Sequence, residues 1–153
     1  MADIDTGSER YREFLAEAED ILGSMGKGLL KLGKGVKAGI IDPGVLNAVF
    51  RSAHTLKGMS AIFDVTDMAA LSHSLEDTLD LLRLGRITLT DTVLDTIMNA
   101  YDLLQKIVAS KGQGDFSAEI ERHKSALGKT VHSRESRTKE QIDAGIISIL
   151  TEY

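Results

Sequence analysis

With 153 residues, 42% of them hydrophobic and only one proline, the chain has the size and composition of one globular all-α domain rather than a disordered segment. The lack of cysteine excludes disulfides and thiolate metal sites and fits the reducing cytoplasm, and no apolar run is long enough for a membrane span. A net charge of −5 weighs against nucleic acid as a partner, because phosphate-backbone affinity rests on clustered Lys and Arg.

The start, MADIDTGSERYREF, lacks the basic-then-apolar order of a signal peptide. A first helix is expected from about Thr6-Gly-Ser-Glu9, a capping-box pattern, with Tyr11, Phe14, Leu15, Ala18, Ile21, Leu22, Met25 and Leu29 on one stripe. Gly23, Gly26, Gly28, Gly33 and Gly35 lower its propensity progressively and predict an end in the low thirties. Asp42-Pro43 then supplies an N-cap and a first-turn proline for a second helix, whose inward residues are Leu46, Val49, Phe50, Ala53 and Leu56. A third begins at Thr66-Asp67, with Met68, Leu71, Leu75, Leu79 and Leu82 in a nearly heptad seam that Gly85 closes. Thr90-Asp91 opens a fourth, with Leu94, Ile97, Tyr101, Leu104 and Val108 inward and Gly112 at its end. Four amphipathic helices on short connections predict an antiparallel four-helix bundle.

Past Gly114 a short extra helix is predicted over 116–127, carrying Phe116, Ile120 and Leu127. SRESRTKEQ then reads as a polar linker and the apolar IDAGIISIL as a further helix, so the bundle is expected to carry one or two additional C-terminal helices. The expected organisation is a domain over residues 1–128, with the bundle at about 8–112, followed by a linker and candidate C-terminal helix over 129–153.

The stretch AHTLKGMSAIF, residues 53–63, sets a lysine-glycine pair inside the second helix, where glycine costs about 1 kcal/mol relative to alanine. Helical rotation puts His54 beside the apolar stripe, at its exposed border, with Gly58 one turn further on. A missing side chain there clears room for a partner to approach the ring. Lys57, at a three-residue spacing, is able to bring an ammonium to the same place. The third helix offers a matching border stripe in His73, Glu76 and Asp80. Should the two helices be antiparallel neighbours, one of these carboxylates can accept the Nδ1 proton of His54 and leave Nε2 as a nucleophile.

A lone histidine at a helix border is ordinarily a surface residue, and it is the company of Lys57, Gly58 and the facing stripe that sets His54 apart. His123 and His132 lack metal-ligand spacing and read as solvent-exposed, while Asp77, Asp80 and Arg83 read as a solvated face. Gly28-Leu-Leu-Lys-Leu-Gly33-Lys34 imitates a phosphate-cradling loop but has Gly35 where a hydroxyl is needed and follows a helix instead of a strand. No nucleotide or metal site is expected in the chain itself.

The run His54-Thr-Leu-Lys57-Gly58, preceded by FRSA and followed by LSHSLEDTLDLLRLG, resembles the histidine phosphotransfer (HPt) family, in the form found at the N-terminus of chemotaxis kinases of the CheA type. The likeness covers roughly residues 8–112, with the His-x-x-Lys-Gly core, the His-x-x-Glu of the next helix and the Leu-Arg-x-Gly ending in register. It implies a cytoplasmic phosphotransfer substrate and carrier whose parent protein is a histidine kinase. His54 would be phosphorylated by an ATP-binding kinase domain, with ATP and Mg²⁺ held on partner domains, and would pass the group to an aspartate of a response regulator receiver. By position, Lys57 would assist electrostatically, Glu76 would hold the imidazole and His73 would complete the polar cluster. The chain departs from the family at Met59-Ser60-Ala61-Ile62-Phe63-Asp64, where Asp64 replaces a customary turn glycine. A modified turn is expected there, and the departure leaves a receiver-binding module without transfer as the alternative reading.

Overall fold

The computed structural model describes residues 8–131 and contains α1 (Glu9–Ala38), α2 (Pro43–Ile62), α3 (Thr66–Arg83) and α4 (Asp91–Ala109), followed by a fifth helix, α5, over 117–131. The fold is all-α, as expected. Thr6, the linker, His132 and the IDAGIISIL segment lie outside the described residues.

The helix starts follow their local chemistry. Ser8 caps α1 by accepting from the Tyr11 amide at 3.0 Å, Asp42 caps α2 from the Gly44 amide at 2.8 Å, and Thr90 caps α4 from the Val93 amide at 3.2 Å. Each such cap stabilises its helix by about 1 kcal/mol. α3 lacks a side-chain cap, because Thr66 is its first helical residue and the capping position falls on Val65.

α1 runs past the low thirties to Ala38, which corrects the expected end. Helix propensity is a weak term beside packing, and Leu29 and Leu32 are buried in the core. Several of the glycines are contact points. A Cβ at Gly26 would collide with the Tyr101 hydroxyl, and one at Gly28 would lie 2.5 Å from Val49 Cγ2. The helix ends only at Gly39, which takes φ 75° and closes a Schellman motif through Ile40 N–H to Gly35 C=O at 2.8 Å.

The helices form a four-membered ring in which α1 packs on α2 and α4, and α3 packs on α2 and α4. Their directions follow from cross-contacts. Phe14 meets Phe63 while Gly28 faces Val49, so α1 and α2 are antiparallel. Gly26 faces Tyr101 while Gly33 faces Leu94, which makes α1 and α4 antiparallel as well. α2 and α3 are joined by a tight turn, and the up-down-up-down bundle is complete. Phe14, Met25, Leu56, Leu71, Leu75, Leu79, Ile97 and Leu104 are among its fully buried side chains. α5 adds Ile120 and Leu127 to that core and runs to residue 131, beyond the expected 127, with Lys106 of α4 held 3.6 Å from Glu119.

The α2–α3 turn keeps the bundle geometry with Asp64 in the glycine's place. Asp64 adopts φ 60°, and Val65 N–H to Ser60 C=O at 2.8 Å with Asp64 N–H to Ala61 C=O at 3.1 Å repeats the Schellman pattern. Arg10 of α1 pins this turn, donating to the Ile62 carbonyl at 2.7 Å and lying over the Phe63 ring.

Candidate functional site

The antiparallel seam of α2 and α3 brings His54 against Glu76, with Nδ1 of the imidazole 2.6 Å from carboxylate Oε1. An ionised carboxylate can only accept, so Nδ1 carries a proton and donates it, and in the neutral form of the ring the lone pair lies on Nε2. Glu76 is nearly buried, with 12% of its side chain exposed, while 62% of the imidazole is open to solvent. The ring is therefore anchored from inside and offered outside.

Lys57 completes the anchor. Its ammonium lies 2.6 Å from Glu76 Oε2, the buried oxygen of the carboxylate, and pairs with it. Burial alone would raise the pKa of Glu76, but the hydrogen bonds and charges of Lys57 and His54 outweigh it and hold the carboxyl below its ordinary value. Glu76 is thus ionised at neutral pH, which is the condition for the Nδ1–H tautomer.

Gly58 follows on the same helix, and a Cβ added there would meet no atom of the described residues within 4 Å. The glycine answers no packing need inside the protein. Bare backbone beside the ring leaves the approach to it clear.

The structure places His54, Lys57, Gly58 and Glu76 together on one face of the α2–α3 pair. His73 is exposed and lies 3.5 Å from Asp77 on its own helix, and Asp80, the other carboxylate of the border stripe, is paired with Arg83. His123 is half-buried on α5 rather than fully exposed. The Gly28–Gly35 run is continuous α1 helix, so its amides are committed to helical bonding and no phosphate-cradling loop forms. Among the described residues no group of three or more His, Asp and Glu is arranged to hold a metal ion, and no helix is long and apolar enough to cross a membrane.

Two further residues, Phe50 beside His54 and Arg83 on Phe50, escape a reading by helical stripe. Phe50, expected in the core, is half-buried and stacks beside the imidazole with centroids 6.3 Å apart and 22° between the planes. Arg83, expected on a solvated face, places its guanidinium 4.3 Å from the centre of the Phe50 ring. The four-residue spacing of Phe50 and His54 is visible in the sequence. The reach of Arg83 from the next helix is not.

These features are those of a helical module with one tethered histidine whose free edge is open to solvent. Residues 9–109 match the family model described as Hpt domain, and the chain belongs to that family. It is 39% identical over 97 residues to the chemotaxis protein CheA of Bacillus subtilis, an alignment covering 63% of this chain and 14% of that protein. With the CheA of Rhizobium meliloti it shares 34% identity over 101 residues, covering 66% of this chain and 13% of that protein. The chain therefore spans only a small part of the length of these relatives. Among solved structures, the CheA phosphotransferase domain from Thermotoga maritima is 33% identical with a TM-score of 0.60, covering 68% of this chain and 97% of that one. The phosphorylated P1 domain of CheA3 in complex with CheY6 from R. sphaeroides, 21% identical, shares the fold with a TM-score of 0.68 over 82% of this chain and 97% of that one.

Proposed function

We infer that the chain is a phosphoryl carrier of chemotaxis-type two-component signal transduction, in which His54 is the phosphorylated residue. The observation that carries this reading is the 2.6 Å contact of His54 Nδ1 with Glu76 on an imidazole whose other edge is open. The Nε2 lone pair attacks the γ-phosphorus of ATP held with Mg²⁺ on a separate kinase domain. An N–P bond forms as the bond from phosphorus to the ADP oxygen breaks, and ADP leaves. Glu76 stabilises the positive charge that develops on the ring, and Lys57 keeps Glu76 ionised while placing an ammonium near the phosphoryl oxygens. Gly58 gives the partner access, and His73 completes the polar rim on α3.

In the second transfer a carboxylate oxygen of a receiver aspartate attacks the same phosphorus, and the N–P bond returns its electron pair to Nε2. The relatives named CheA support a parent histidine kinase working in the cytoplasm, and the R. sphaeroides domain of the same fold was solved phosphorylated and bound to CheY6. In this reading residues 1–128 form the carrier and 129–153 lead away from it.

Incubation with the ATP-binding domain of a CheA-type kinase and labelled ATP tests the assignment. The label is expected to be acid-labile and alkali-stable and to vanish in His54→Gln. Undiminished label in that variant overturns it, and receiver binding by an unlabelled wild-type chain would point to the non-transferring module instead.

A further inference from the structure

The hydrogen bond to Glu76 fixes where Nδ1 of His54 sits, but a single bond leaves the ring free to tilt about the Nδ1···Oε1 line. For a side chain as open as this one, tilt decides where the Nε2 lone pair points. A second contact controls it. Phe50, one helical turn before His54, lies against the imidazole at 6.3 Å and 22°, so the two rings are near parallel.

Phe50 is itself held. Arg83, the last residue of α3, sets its guanidinium 4.3 Å from the Phe50 ring centre, at cation–π distance. Asp80 in turn accepts from Arg83 Nε at 3.2 Å and pairs with its Nη2, which fixes the guanidinium in place. Asp80, Arg83, Phe50 and His54 thus form a continuous chain of contacts that crosses from α3 to α2 beside the Glu76 anchor.

We propose that Phe50, clamped by Arg83, is a positioning residue that sets the tilt of the His54 ring and so aims Nε2 at the phosphorus presented by a partner. The proposal rests on the phosphoryl-carrier reading. Glu76 selects which nitrogen reacts, and Phe50 selects its direction. Reaction in a docked complex is sensitive to direction, because neither the nucleophile nor the phosphorus can reorient freely there. A small donor in solution aligns itself with whatever lone pair it meets.

That contrast supplies the test. Phe50→Leu, Phe50→Tyr and Arg83→Gln are compared with wild type in two assays: phosphorylation by the ATP-binding domain of a CheA-type kinase, with kcat and KM separated, and direct labelling by phosphoramidate. With the kinase, Phe50→Leu is expected to lower kcat roughly tenfold with KM little changed, and Phe50→Tyr to restore it. Arg83→Gln, at an exposed position, is expected to lower kcat about threefold and serves if the leucine variant folds poorly. Phosphoramidate labelling should stay near the wild-type level in all three. An unchanged kcat in Phe50→Leu and Arg83→Gln, a loss confined to KM, or equal losses with both donors each overturn the positioning role. A wild-type chain that takes no label from either donor overturns the carrier reading and this role with it, whereas a labelled wild type beside indifferent variants overturns this role alone.

Discussion

The α1–α4 seam and the α2–α3 seam are built from the same kind of amphipathic helix, yet they treat polar groups in opposite ways. Across the first, the Tyr101 hydroxyl donates to the Leu22 carbonyl at 2.8 Å and accepts from Gln105 Nε2 at 2.8 Å, in space that Gly26 leaves open. Across the second, a buried carboxylate is balanced by a lysine and an exposed histidine. One seam is closed, and the other leaves its polar cluster open to solvent.

If that division holds, substitutions in the two seams separate activity from stability. The largest effect is expected for Glu76→Gln, which weakens the acceptor at Nδ1 and should slow phosphoryl uptake by about a hundredfold while the bundle still melts cooperatively. Its pH dependence has a defined sign. The folded-state pKa of Glu76 is lowered, so its contribution to stability is complete above the ordinary glutamate pKa and is lost as pH falls through the lowered folded value. Thermal melts of wild type and Glu76→Gln should differ most near neutral pH and converge on acidification.

Tyr101→Phe addresses the closed seam. Loss of its two hydrogen bonds should cost about 1–2 kcal/mol in denaturant titration and leave the phosphorylation rate of His54 as it was. A rate loss there would show that the seams are coupled.

Gly58→Ala should move the two properties in opposite directions. The added methyl meets nothing among the described residues and should stabilise α2 by up to about 1 kcal/mol, while transfer to a receiver slows because the partner's approach is obstructed. The smallest effect is expected for Asp64→Gly, which relieves a left-handed backbone and should raise stability by about 0.5 kcal/mol in the same titration, with transfer unaltered.

Much of this division was legible in the sequence, since caps and stripes are local. Asp42-Pro43, Thr90 and Gly85 marked boundaries that the structure keeps, and the faces of α2 and α3 could be drawn from spacing alone. What spacing could not supply was distance between helices. It put His73, Glu76 and Asp80 on one stripe without saying which would meet His54, and the structure gives that place to Glu76 while His73 and Asp80 find partners along their own helix. The end of α1 was misjudged because Gly26 and Gly28 look like weak helix formers in one dimension and act as contact points in three. Arg83 was hidden for the converse reason, as a long side chain whose helix position says little about where its head group rests.

The ion pair of Lys57 and Glu76 beside the imidazole has a consequence for signalling specificity. The charges of Lys57 and Glu76 cancel, so the pair projects little field beyond its own contacts. A phosphoryl group on Nε2 would leave the cluster negative, and a partner carrying a bound cation would then be drawn in from a distance. An empty carrier would be electrostatically quiet and a loaded one conspicuous, so the cargo would itself announce that there is something to collect.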